Sequence, residues 1–74
     1  MSIYLVGFKT DGKNYTKIQD ELAKIGYSDF IFKSDGDFDL ECRLKADDGA
    51  DAFRLSMGVS GPSIKLIMVK PYKG

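Results

Sequence analysis

The stretch from Tyr27 to Lys45 constrains the fold more than any other part of the sequence. Two runs rich in phenylalanine, isoleucine and leucine flank Ser34-Asp35-Gly36, and glycine suits the left-handed position that hairpin loops need. A two-residue loop would pair Phe32 with Asp39, whereas a three-residue loop pairs Phe32 with Phe38. Because side chains alternate between the two faces of a strand, only the three-residue loop yields an apolar face. The sequence therefore predicts a β-hairpin in that register.

The opposite face of this predicted hairpin is acidic. Its positions are Tyr27, Asp29, Ile31, Asp37, Asp39, Glu41 and Arg43. The acidic positions do not follow the spacing of a calcium-binding loop, which needs its glycine at the sixth position and a bidentate glutamate at the twelfth. We therefore expect no metal and no cofactor, and a solvated acidic face that resists pairing with another sheet edge.

The length and the cysteine content limit how the chain can be stabilised. Seventy-four residues form one small domain, residues 1–74, and a chain of this size has a marginal core. Cys42 is the only cysteine, so it has no partner in the chain, and its alternation with Leu40 and Leu44 predicts a core position. Oligomerisation is then the remaining way to add stability.

No part of the sequence predicts membrane insertion or secretion. No apolar run approaches the roughly 20 residues that cross a bilayer, and the N-terminus has no signal-peptide pattern. With a single thiol, these features favour the reducing cytoplasm.

The other segments alternate between strand and helix patterns. Ser2 to Thr10 has apolar residues at both odd and even positions, so both faces of this predicted strand are apolar. Ser63 to Lys70 is a second strand of this kind. Between Asn14 and Gly26 apolar residues recur at helical spacing. Asn14 is the predicted cap of this helix and Gly26 its stop, and Asp47 or Asp48 is the predicted cap of a second helix that ends at Gly58. The predicted core-facing residues of the second helix are Ala50, Phe53 and Met57, with Ala52 and Leu55 alongside.

The resulting order is strand, helix, strand, strand, helix, strand. Right-handed crossovers through both helices lead to the ferredoxin-like βαββαβ plait. The sequence therefore predicts an α+β fold with a four-stranded antiparallel sheet and two helices on one face. The spatial order of the strands would be fourth, first, third, second.

Charge and residue types favour binding over catalysis. Eleven basic residues balance eleven acidic ones, and there is no histidine, so no pair of a nucleophile and a histidine base exists. The segment from Asp29 to Arg54 contains eight acidic and four basic residues, and the two ends of the chain have an excess of basic residues. Nucleic-acid-binding domains usually have a basic excess, so this balance favours a protein partner.

The chain resembles the SinR-like family of small plait proteins, which is related to the CRISPR adaptation endonuclease subunit. The resemblance lies in Ile3 to Val6, Lys13-Asn14-Tyr15, Leu22 to Gly26 and Ala46 to Arg54. It implies the same fold and, in the nucleases of that family, an aspartate at the end of the first strand where two subunits hold a metal. Here Lys9 stands at that point, and a lysine would repel Mg²⁺.

The first and last strands predict a homodimer. Both are apolar on both parities, whereas the helices cover only one face of the sheet, so an apolar patch would stay exposed. A second copy would cover it. The predicted interface residues are Tyr4, Val6, Ile67 and Val69.

These observations lead to one main functional hypothesis and two alternatives. The main hypothesis is a non-catalytic homodimeric binding module, such as a phage-type regulator or inhibitor of a nucleic-acid-processing or defence enzyme. It would bind a protein through Asp29, Asp37, Asp39 and Glu41. The first alternative is a metal-dependent nuclease of the SinR-like kind that uses Asp11. The second is a nucleic-acid-binding protein with a basic edge formed by Lys9, Lys65, Lys70 and Lys73.

Overall fold

Six elements make up the fold, and the computed structural model describes residues 2–33 and 36–73. In chain order they are β1 (Ser2–Thr10), α1 (Tyr15–Ile25), β2 (Tyr27–Phe32), β3 (Leu40–Ala46), α2 (Gly49–Val59) and β4 (Ile64–Pro71). The strands form one antiparallel sheet in the order β2-β3-β1-β4. This is a ferredoxin-like α+β fold, and the predicted order of elements and strands is confirmed. Neither helix has the length and apolar character needed to cross a membrane within the described residues.

The predicted helix ends are confirmed at Gly26 and Asp48 and differ at Asn14 and Gly58, since α2 continues through Gly58 to Val59. Gly26 ends α1 with a φ of 122°, and its N–H donates to the carbonyls of Leu22 and Ala23. The Asp48 carboxylate accepts a hydrogen bond of 2.8 Å from the Asp51 N–H at the start of α2. Asn14 precedes α1 in the left-handed conformation, and its side chain makes no capping hydrogen bond. Glycine and aspartate therefore act at these ends as their chemistry predicts.

The core lies on one side of the sheet, under both helices. Tyr4, Val6 and Phe8 of β1 belong to the same buried cluster as Leu22 of α1 and Ala52 of α2. The alternate positions of β1 point to the other side, which neither α1 nor α2 covers. We call this side the open face; it carries Ile3, Leu5, Gly7, Lys9 and their neighbours on β3 and β4.

The core-facing side of α2 differs from the prediction. Ala52 and Ser56 are fully buried, and Leu55 packs against the core. Phe53 is 53 % exposed and Met57 is 50 % exposed, so these two predicted core residues point away from the sheet. The small side chains of Ala52 and Ser56 let the helix lie close to the strands beneath it.

The predicted hairpin register is wrong by two residues. Phe32 pairs with Leu40, where the sequence predicted Phe30 opposite Leu40 and Phe32 opposite Phe38. At this end of the strand pair a shift of two leaves Phe32 and Leu40 on their predicted side, and Leu40, Cys42 and Leu44 are in the core as predicted. Of the predicted loop, Ser34 and Asp35 lie outside the described residues, and Gly36 has a left-handed φ of 92°.

A bulge in β2 also places Tyr27 on the unexpected side of the sheet. Asp29 has a φ of 54°, and the pairing with β3 shifts between Ser28 and Ile31. The extra residue reverses the alternation, so Tyr27 is only 3 % exposed in the core. There its hydroxyl shares a hydrogen bond of 2.7 Å with Ser56, and burial raises the pKa of Tyr27.

Candidate functional site

Asp39, predicted to lie on an exposed acidic face, is a buried structural residue. Its residue exposure is 8 %. Its Oδ1 accepts a hydrogen bond of 2.8 Å from the Thr10 N–H, and its Oδ2 accepts one of 2.7 Å from the Thr10 hydroxyl. The Tyr15 hydroxyl donates a third, of 3.0 Å, to Oδ2. The carboxylate thus connects the end of β1, the start of α1 and the segment before β3.

These three donors keep the Asp39 carboxylate ionised despite its position. Burial by itself would raise the pKa of Asp39, but the hydrogen bonds from Thr10 and Tyr15 outweigh burial and lower it below the ordinary value. The same interaction raises the pKa of Tyr15, because its hydroxyl donates to a carboxylate. Asp39 is therefore a charged group whose two carboxylate oxygens accept hydrogen bonds from within the domain. It does not form part of an exposed acidic surface.

The position of Asp39 reverses the side-chain alternation just before β3. Extending the β3 pattern backwards would place Asp39 on the open face and Phe38 in the core. Instead, the carboxylate is drawn to Thr10 on the helix side, and Phe38 lies over Gly7 of β1 on the open face. The expectation that Phe38 packs against Phe32 in the core is therefore wrong.

The Phe38 ring lies flat on the backbone of Gly7. A Cβ built on Gly7 would be 2.9 Å from Cγ of Phe38 and 3.0 Å from both Cδ atoms. Nearly equal distances to three adjacent ring atoms mean that the ring presents its face, not its edge, to the strand. No side chain larger than hydrogen fits between them, so Gly7 is the residue that this contact requires.

The other three predicted acidic residues do not form one surface. Asp29 lies 3.5 Å from Arg43, and Glu41 lies 3.0 Å from Lys33, so each is paired with a cation of the sheet. Asp37 is exposed in the segment before β3. The predicted acidic protein-binding face is thus divided into a buried carboxylate, two ion pairs and one exposed aspartate.

The open face is basic. The strand pairings and the ion pairs place six cations and two acids on it. The cations are Lys9, Lys33, Arg43, Lys45, Lys65 and Lys70, and the acids are Asp29 and Glu41. Because both acids are already paired, the surface keeps an excess of positive charge that the balanced composition conceals.

Four of these lysines have no acidic partner within 4 Å among the described residues: Lys9, Lys45, Lys65 and Lys70. Lys9 and Lys65 are directly opposite each other on β1 and β4, and like charges in that arrangement destabilise a sheet. Lys70 is opposite Leu5 on the same pair of strands. Such an arrangement suits an anionic ligand, which would relieve the repulsion.

Two aromatic rings accompany these cations. The Lys33 ammonium lies 5.3 Å from the centroid of the Phe38 ring, and the Arg43 guanidinium lies 4.1 Å from that of Tyr72. The Tyr72 N–H donates to the Ile3 carbonyl, which aligns Tyr72 with β1. The sequence did not predict that Phe38 and Tyr72 lie on the surface of the sheet. The isolated Gly7 within a strand pattern is nevertheless a signal that another group packs closely on the strand there.

The predicted dimer residues lie in different environments. Tyr4 and Val6 are in the core beneath the helices, so this part of the predicted interface is wrong. Val69 is partly buried against the same core. Ile67 is 40 % exposed on β4, beside the point where its pairing with β1 is irregular.

The residues considered for catalysis are also separated. Asp11 is exposed in the turn after β1, where its Oδ1 accepts a hydrogen bond from the Lys13 N–H. Within residues 2–33 and 36–73, no group of three or more potential metal ligands is present. Cys42 is buried, as predicted, and burial raises the pKa of its thiol to about 12.

The fold and the open face define a small ferredoxin-like domain with an aromatic and basic sheet surface. The sequence matches no family model, and neither a curated protein nor a solved structure matches it.

Proposed function

We propose that this protein is a binding module that takes single-stranded nucleic acid on its open face. The observation that carries the proposal is the Phe38 ring, which lies flat on Gly7, on the same face as four lysines that have no acidic partner among the described residues. Flat aromatic rings stack with unpaired bases, and lysines near them contact the backbone phosphates. Bases in a duplex are already stacked on one another, so this arrangement favours a single strand.

The charges on the open face support this partner over an acidic-face protein partner. In the predicted hairpin, Asp37 and Asp39 lay on an exposed acidic face, and the balanced charge of the chain favoured a protein partner. Asp39 is instead turned to the helix side. The β3 positions that reach the open face are Glu41, Arg43 and Lys45, of which Glu41 is neutralised by Lys33.

A salt titration with a paired set of variants tests the proposal. We expect a fluorescein-labelled oligothymidylate to bind with an affinity that falls with salt at a logarithmic slope of about −3, because about four phosphates would be contacted. The matching duplex should bind more weakly. We expect Lys9→Glu to weaken single-strand binding by about tenfold and to flatten this slope.

The same Lys9→Glu substitution should raise the stability of the fold, because the new carboxylate would face Lys65 across the β1–β4 pair. We expect a gain of about 0.2–1 kcal/mol in a urea melt, so weaker binding could not be attributed to unfolding. Lys17→Glu is the matched control, since it makes the same charge change on the exposed surface of α1. Binding that is flat with salt, or weakened equally by both substitutions, would refute the proposal.

Three sequence-based hypotheses stay predictions beside this one. They are a phage-type regulator that binds a protein, a SinR-like nuclease that uses Asp11, and a cytoplasmic location. For the homodimer, the exposed Ile67 on β4 is the one predicted interface residue that a second copy could reach readily. Sedimentation equilibrium of the wild type and of Ile67→Lys would check it.

A further inference from the structure

Hydrogen bonds fix the segment before β3 at Asp39. The Asp39 N–H donates to the Phe8 carbonyl at 3.1 Å, and the Asp39 carbonyl accepts from the Lys33 N–H at 2.8 Å. Together with the three hydrogen bonds to its carboxylate, these contacts fix residue 39 in position and in orientation. Asp37, on the other side of Phe38, is exposed and makes no side-chain hydrogen bond or ion pair with the described residues.

We infer that Asp39 is a positioning residue that places the Phe38 ring on the open face, and that the affinity for a stacked base depends on it. The expected effect on affinity rests on the proposed function. The effect of Asp39 on the position of the Phe38 ring does not. Neighbouring residues in extended chain point to opposite sides. A carboxylate drawn to Thr10 and Tyr15 on the helix side therefore directs Phe38 to the other side, over Gly7.

Without the Asp39 carboxylate, the β3 alternation can continue backwards through residue 39. Thr10 and Tyr15 would then have no acceptor there, and the chain would lose the contacts that reverse the alternation. Phe38 would leave Gly7 and turn towards Phe32 and the core. The open face would keep all its lysines but lose the ring, which separates the stacking contribution from the electrostatic one.

The chemical shift of the Gly7 α-protons reports the ring position without any ligand. Protons beneath the face of an aromatic ring are shifted upfield, so the wild type should show upfield Gly7 signals. We expect Asp39→Ala to move them to ordinary values, and Asp39→Asn, which keeps one acceptor oxygen and the same shape, to keep part of the shift. Asp37→Ala is the matched control, and its Gly7 signals should stay as in the wild type.

Binding of the labelled oligothymidylate is the second measurement. We expect Asp39→Ala to lose about tenfold in affinity, the effect of removing one stacking ring, while its salt slope stays that of the wild type because no cation has been removed. A general loss of structure would change both quantities, and circular dichroism would register it. Asp37→Ala should change neither the slope nor the stacking contribution to affinity.

The outcomes distinguish the inference from the proposed function. If the wild type does not bind the oligonucleotide, the proposed function fails, and the Gly7 signals still decide whether Asp39 positions the ring. If folded Asp39→Ala keeps the upfield Gly7 signals, the inference is overturned whatever the binding. If Asp39→Ala does not fold, the Gly7 signals are measured in Tyr15→Phe, which removes only the hydrogen bond from the Tyr15 hydroxyl to Asp39. Its Gly7 signals must move towards ordinary values, and unchanged signals overturn the inference.

Discussion

Tyr27→Ala is expected to lower the free energy of unfolding by about 3–5 kcal/mol. The ring of Tyr27 packs edge-on against Phe8, with 5.8 Å between the ring centroids, and its hydroxyl is the partner of the buried Ser56 hydroxyl. Removing the side chain leaves a cavity and a buried polar group without its partner. For a domain this small, the expected loss is a large part of the total stability.

Urea melts of three variants test this expectation. Tyr27→Phe keeps the ring and removes only the hydrogen bond to Ser56, so it should cost about 1–2 kcal/mol and remain measurable if Tyr27→Ala does not fold. Ile31→Ala is the control, because Ile31 is 48 % exposed and should change stability by less than about 0.5 kcal/mol. A near-neutral Tyr27→Ala would mean that Tyr27 is outside the core and that the β2 bulge at Asp29 is absent.

Gly7→Ala is expected to lower the affinity for single-stranded nucleic acid by about tenfold. The new methyl group would stand 2.9 Å from Cγ of Phe38, which is closer than carbon atoms can approach, so the ring must lift from β1. Two effects on stability then oppose each other. Alanine reduces the entropy lost on folding by roughly 0.5–1 kcal/mol, whereas the displaced ring loses its contact with the strand, so the net change should be small.

Gly58→Ala is the matched control for this substitution. Gly58 lies in α2 with open space around the position of a Cβ, so alanine there should raise stability by about 0.5–1 kcal/mol and leave binding unchanged. Affinity would be measured by fluorescence anisotropy and stability by urea melts on the same samples. If Gly7→Ala binds as the wild type does, the contact of Phe38 with Gly7 is not needed for binding.

Local sequence patterns were sufficient for the element order and for most of the core. The helical spacing that ends at Gly26, the Asp48 cap and the strand patterns led to the correct plait. Period-two alternation also placed Leu40, Cys42 and Leu44 correctly. These features depend on neighbours within a few residues, so the sequence contains the information that decides them.

The positions of Tyr27 and Phe53 were decided by packing. The bulge at Asp29 adds one residue to β2 and so turns Tyr27 inward, where Ser56 of α2 accepts or donates its hydrogen bond. Once Ala52 and Ser56 face the sheet, Phe53 and Met57 must point away, since they lie on another side of the same helix. Regular strand alternation had predicted Tyr27 on the exposed face, and the apolar helical pattern had predicted Phe53 and Met57 in the core.

The candidate site was decided by contacts between residues far apart in the chain. Asp39 and Phe38 exchange their predicted faces because Thr10 and Tyr15, 29 and 24 residues away, supply three donors to one carboxylate. A buried carboxylate with three hydrogen bonds outweighs the local preference for regular alternation. The sequence by itself thus determined which strands and helices form, whereas the tertiary structure decided that the open face would present an aromatic ring among lysines.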